Sequence, residues 1–106
     1  MIESAEEAMT FAAGRTIEDV RNDRSLSLLL VKCLEMMGEA AFKVSRNFRD
    51  AHPAIPWRSL IDLRNHLVHE YHDIDAERVW LTIEQELPAI LPELQALARE
   101  FEKDQD

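Results

Sequence analysis

At 106 residues, 46% of them apolar, the chain has the material for one hydrophobic core and one domain, and nothing in its length asks for a second. Its 21 acidic residues against 12 basic ones, a formal charge of −9, exclude a generally basic surface that would hold nucleic acid by long-range attraction. A single cysteine, Cys33, excludes an intrachain disulfide; it lies in an apolar run and reads as a small core residue in a reducing compartment.

No stretch approaches the roughly 18 uninterrupted apolar residues of a membrane span, and the N-terminus lacks a basic-then-apolar export pattern. A soluble, cytoplasmic protein with no membrane partner is expected. Two glycines and four prolines punctuate the chain, and no alternating strand pattern or hairpin signal stands out. The expected fold is all-α, an antiparallel helical bundle of about five helical segments.

The first segment, about residues 2–13, carries Ala5, Ala8, Met9 and Ala12 at helical spacing and ends near Gly14. A short second helix follows Thr16 as N-cap, with Glu18 and Asp19 in its first turn, where carboxylates suit the helix dipole. The third spans about Ser25 to Phe48. Leu26, Leu30, Cys33, Met37, Ala40 and Val44 form one stripe; Leu28, Val31, Leu34, Ala41 and Phe42 widen it beyond one core face. A helix so apolar packs on two sides, and one side can belong to a second subunit.

A polar loop with Pro53 and Pro56 precedes a fourth helix, about residues 57–70, with Pro56 near its start. Leu60, Leu63, Leu67 and Val68 are its expected core anchors. The last helix begins after Asp75 as N-cap and runs to about Glu102. Trp80, Ile83, Leu87, Ile90, Leu94, Leu97 and Phe101 make its apolar stripe. Pro88 and Pro92 fall inside that stripe, and an interior proline costs roughly 3 kcal/mol, so a kink or break is expected near 85–88. Trp57 and Trp80 are expected to pack rather than to stack on bases.

The sequence contains no metal-binding motif such as HExxH or CxxC, and nothing asks for a cofactor. The chemistry-bearing residues gather instead on the fourth helix, in Arg64-Asn65-His66-Leu67-Val68-His69-Glu70-Tyr71. On an ideal helix Asn65 and His69 lie about 40° apart and one turn distant, Arg64 about 140° round from His69, and Tyr71 within about 20° of Arg64. Metal-independent RNA cleavage needs a base for the 2′-hydroxyl proton, an acid for the departing 5′-oxygen and a cation on the phosphate. His69 suits the proton transfers and Arg64 the phosphate, while Asn65 can orient the imidazole or contact the ribose. The spacing alone leaves a plainer alternative, in which Arg64 pairs with Glu39 or Asp62 and His69 caps a helix end. His66 and the loop residue His52 are expected bystanders; His72, one turn beyond His69, can line the same groove.

Gly38-Glu39-Ala40-Ala41, Ile55-Pro56-Trp57-Arg58, Arg64-Asn65 through Leu67-Val68-His69 and Tyr71, Ile74-Asp75 and Val79-Trp80 occur in an order and spacing that resemble the HepT-like branch of the HEPN superfamily, across roughly residues 19–92. The resemblance implies a homodimeric helical domain with two Arg-x4-His-x-Tyr motifs meeting in an interfacial cleft. It implies a metal-independent endoribonuclease toxin in which Arg64 and His69 form the catalytic pair and Asn65 supports them. It further implies an MntA-type nucleotidyltransferase antitoxin that transfers AMP to Tyr71, placing a negative charge beside Arg64. Glu39 either sets Arg64 across helices or pairs with Lys43 one turn along. Two Arg64 side chains with Arg58 can make a basic cleft in an acidic body. The alternative function is a non-catalytic helical module that partners or regulates a nucleotidyltransferase.

Overall fold

The computed structural model describes residues 1–69 and 72–105, with side chains through Glu100. Its order is α1 (Ile2–Ala12), α2 (Ile17–Asn22), α3 (Arg24–Lys43), α4 (Arg46–Ala51), α5 (Trp57–His69), α6 (Ala76–Leu81) and α7 (Leu87–Gln105). No strand occurs among the described residues. The fold is all-α, as the sequence indicates.

Local chemistry sets the helix ends. Thr16 opens α2 with a reciprocal capping box: its hydroxyl accepts from the Asp19 N–H while the Asp19 carboxylate accepts from the Thr16 N–H. Asp23, Ser45 and Asp75 each accept from the backbone N–H three residues on, starting α3, α4 and α6. Gly14 follows α1 at φ 74°, the left-handed conformation that glycine enters without steric cost.

Two boundaries differ from expectation. The apolar helix expected to reach Phe48 stops at Lys43, because Val44 is extended (φ −72°, ψ 136°) and Ser45 caps a separate helix, α4. The chain then turns into α5, and Trp57 anchors that turn by donating its indole N–H to the His52 carbonyl at 2.9 Å. Phe48 stacks at a tilt on His52, centroids 4.4 Å apart, and meets Trp57 edge-on at 6.4 Å.

The proline-bearing C-terminal helix does not break. A π-helical segment, Thr82–Glu86, joins α6 to α7, and the Leu87 N–H bonds to the Thr82 carbonyl, five residues back. Widening the turn moves the ladder past Pro88, whose missing N–H and ring would disrupt a regular α-turn. Pro92 is carried inside α7.

Helix α3 is the hub, packing on α1, α2, α5 and α6. Leu30, Leu34, Met37, Val20, Val79 and Leu87 have no appreciable exposure. Truncating one such leucine to alanine costs roughly 2–5 kcal/mol. Leu28 and Phe42, which widen the apolar stripe beyond one core face, are exposed on the single chain, as are Leu29 and Met36. Among the described residues no helix is long and apolar enough to cross a membrane.

Candidate functional site

Helix α5 divides into two faces. Trp57, Leu60, Ile61, Leu63 and Leu67 are buried, and the packing is chiefly against α3. Arg58, Asp62, Asn65 and His69 are exposed and follow one another at spacings of four, three and four, which keeps them within about 60° on one face. Val68, expected to anchor the helix, is 40% exposed at the edge.

Arg64 stands at the boundary, partly buried. Its base lies where α3 and α5 come closest: a Cβ built on Gly38 would fall 2.2 Å from the Arg64 Cβ and 2.6 Å from the Leu60 carbonyl oxygen. Only a residue without a side chain fits at that crossing. The glycine lets α5 settle against α3 and fixes the root of Arg64.

The far end of Arg64 is held differently from the plainer expectation. Asp62 pairs with Arg58 at 3.4 Å and Glu39 with Lys43 at 3.4 Å, and neither is an ion-pair partner of Arg64. The Arg64 Nη1 donates to the Asn65 Oδ1 at 3.1 Å. Consecutive helix positions diverge by about 100°, so this bond draws the guanidinium from the α3 side toward the edge carrying Asn65 and His69. Of the two possibilities open for Glu39, the contact formed is the one with Lys43. Asn65, considered as a support for the imidazole or a ribose contact, accepts from the arginine through its Oδ1.

His69 is exposed at the end of α5, and His72 is exposed beyond it; His66 is partly buried. Tyr71 lies outside the described residues. Among the described residues no three His, Cys, Asp or Glu side chains are grouped to hold a metal ion. The structural contribution of Gly38 went unread in the sequence, although a lone glycine inside a strongly apolar helix is a signal of close backbone approach.

Helix α5 thus carries an amide-held arginine and, five residues on, an exposed histidine, within an all-α bundle. The chain belongs to the Ribonuclease HepT-like family, which it matches over residues 1–97. It is similar to the "Putative RNase MJ1216" of Methanocaldococcus jannaschii, with 30% identity over 102 residues that cover 96% of this chain and 84% of that protein. It is also similar to the "Probable ribonuclease HepT" of Thermococcus cleftensis, at 29% identity over 77% of this chain and 74% of the relative. A third relative, the "Putative RNase TTE0752" of Caldanaerobacter subterraneus, is 34% identical over 73% of this chain and 69% of its own length. No solved structure matches the chain.

Proposed function

We propose that this protein is the toxin of a toxin–antitoxin pair, an endoribonuclease that cuts RNA without a metal in a cleft between two copies of the chain. The observation that carries the reading is the Arg64–Asn65 hydrogen bond, which holds a guanidinium toward the helix edge that presents His69.

In the reaction, one His69 imidazole takes the proton of a ribose 2′-hydroxyl, and the freed oxygen attacks the adjacent phosphorus. The bond from phosphorus to the 5′-oxygen breaks, leaving a 2′,3′-cyclic phosphate, and the protonated His69 of the second copy gives the departing oxygen its proton. Arg64 forks onto the non-bridging oxygens as charge builds on them. Each chain supplies one motif histidine, so the acid and the base come from a pair of chains. The exposed apolar side chains of α3, Leu28, Leu29, Met36 and Phe42, each at least 39% exposed and interspersed with Lys32, Glu39 and Lys43, support that pairing.

Inhibition follows the same chemistry. A nucleotidyltransferase antitoxin of the MntA type transfers AMP from ATP to the Tyr71 hydroxyl with release of pyrophosphate. The new phosphodiester adds bulk and negative charge to the motif and competes with the RNA phosphate for Arg64.

The test is RNA cleavage in EDTA by wild type, His69→Ala and Arg64→Ala, with an intact mass recorded for each sample. Metal-independent cutting by wild type, lost in both variants, is the expected result. Silence from folded, unmodified wild type would replace the enzyme with a helical module that only binds its nucleotidyltransferase.

A further inference from the structure

We infer that a second site on this chain, the pocket between α4 and the start of α5, binds a backbone phosphate of the RNA a few nucleotides from the bond that is cut. The inference rests on the ribonuclease reading above and extends it from the reacting bond to the path of the strand.

The pocket encloses about 560 Å³ and is lined by Arg46, Arg49 and Arg58, with Asp50 as its only carboxylate and Ile55 and Trp57 among its apolar walls. Three guanidiniums against one carboxylate is a local reversal of sign in a chain of net charge −9. Arg46 and Arg49 take part in no ion pair among the described residues. The Arg49 Nε is buried and has no hydrogen-bond acceptor. A partly buried guanidinium with an unmet donor is costly to keep charged, and an anion in the pocket lowers that cost through its charge.

Arg58 does have a partner, Asp62, but the pair is exposed at 89% and 56% and contributes little that a phosphate could not displace. The helix start adds neutral donors. Pro56, which precedes α5, has no side-chain acceptor for the N–H groups of Arg58 and Ser59, both pocket residues. The scaffold is fixed independently of any ligand, since Phe48, His52 and Trp57 lock α4 to the beginning of α5.

Placement connects the pocket to the chemistry. Arg58 shares the exposed face of α5 with Asn65 and His69. Eleven residues separate Arg58 from His69, about 16 Å of helix, which a few nucleotides of RNA backbone can span. An acidic body with a basic foothold at each end of one helix face guides a single strand along that face and repels it elsewhere.

The experiment compares binding of a trinucleotide and a dodecamer of single-stranded RNA by His69→Ala protein, across a salt series, with and without Arg46→Ala/Arg58→Ala. Both arginines are exposed, so folding is expected to survive; circular dichroism confirms it, and Arg49→Gln serves as a second, shape-preserving variant. The dodecamer should bind more tightly than the trinucleotide. The arginine changes should remove most of that advantage and reduce the salt slope by about 0.7, the signature of one lost phosphate contact on a single strand. In the active protein Arg46→Ala alone, which leaves Arg58 and Arg64 in place, should leave trinucleotide cleavage unaltered and slow dodecamer cleavage at limiting substrate. An unchanged length advantage and slope would overturn the inference while leaving the ribonuclease in place. Binding of inorganic phosphate alone, with no dependence on RNA length, would also overturn it. If wild type cleaved no RNA yet the arginines still set the length dependence of binding, the catalytic reading would fail and the pocket would stand.

Discussion

Gly38 and Arg64 meet at the crossing of α3 and α5, so close that a methyl group on residue 38 would stand 2.2 Å from the Arg64 Cβ. The same imagined methyl lies 2.6 Å from the Leu60 carbonyl oxygen, which is backbone and cannot rotate aside. The absence of a side chain on α3 therefore seats Arg64, the residue proposed to meet the phosphate, on α5.

Gly38→Ala should accordingly force the two helices apart. Overpacking of this kind costs roughly 1–3 kcal/mol, against which the better helix propensity of alanine returns at most about 1 kcal/mol. A lower urea midpoint is expected, together with weaker cleavage as Arg64 is displaced. A variant as stable and active as wild type would show that the crossing relaxes without disturbing the arginine.

The sequence conveyed the capping chemistry well, because Thr16 and Asp75 act through neighbours three residues away and need no tertiary information. It conveyed the candidate residues of α5 through their type and spacing. It was less informative where packing decides. The break at Val44 was hidden by an unbroken apolar pattern, although Ser45 offered a capping signal. The prolines announced a disturbance near 85–88, but whether a helix breaks or widens depends on what holds it, and the buried Ile83 and Leu87 keep this one continuous. The partner of Arg64 could not be chosen by spacing either, since Glu39 and Asp62 were both within reach on paper and Asn65 was not weighed for it. The structure gives both acids to nearer cations.

Asn65 offers a test of that choice. Its Oδ1 accepts from Arg64 at an exposed position, so Asn65→Ala should change stability by no more than about 1 kcal/mol. Cleavage should fall by on the order of tenfold, equivalent to about 1.4 kcal/mol of lost positioning. Arg64→Lys should not substitute for arginine, because an ammonium keeps the charge but loses the planar fork. Steady-state kinetics of the two variants beside wild type decide this, and full activity in Asn65→Ala would deny the amide any positioning role.

The exposed apolar side chains of α3 carry their own consequence. Phe42 is 67% exposed, and Leu29 and Met36 are each 47% exposed, an unusual allotment for one helix in a chain this small. If a second copy covers them, Phe42→Asp places a charge in the contact. Sedimentation should then report monomers where wild type gives dimers, with helical content retained and RNA cleavage lost. A wild type that sediments as a monomer while cutting RNA would remove the need for a second histidine.

Cys33 is 4% exposed, and burial, with a smaller contribution from the negative charge of Glu7, pushes its thiol above the ordinary value of 9.0. The folded protein thus holds this proton more tightly than the unfolded chain does. The associated stability is fully present below pH 9.0 and is lost as the pH rises through the folded value. Urea midpoints measured on either side of that range should therefore drop more steeply for wild type than for Cys33→Ala, which lacks the titration and starts from a lower baseline because it leaves a small void. Alkylation gives a second readout. The thiolate is the reactive form, so the native thiol should react slowly with a maleimide at neutral pH and rapidly once urea unfolds the chain. Fast labelling of the folded protein would mean that α3 opens around Cys33 far more often than its packing allows.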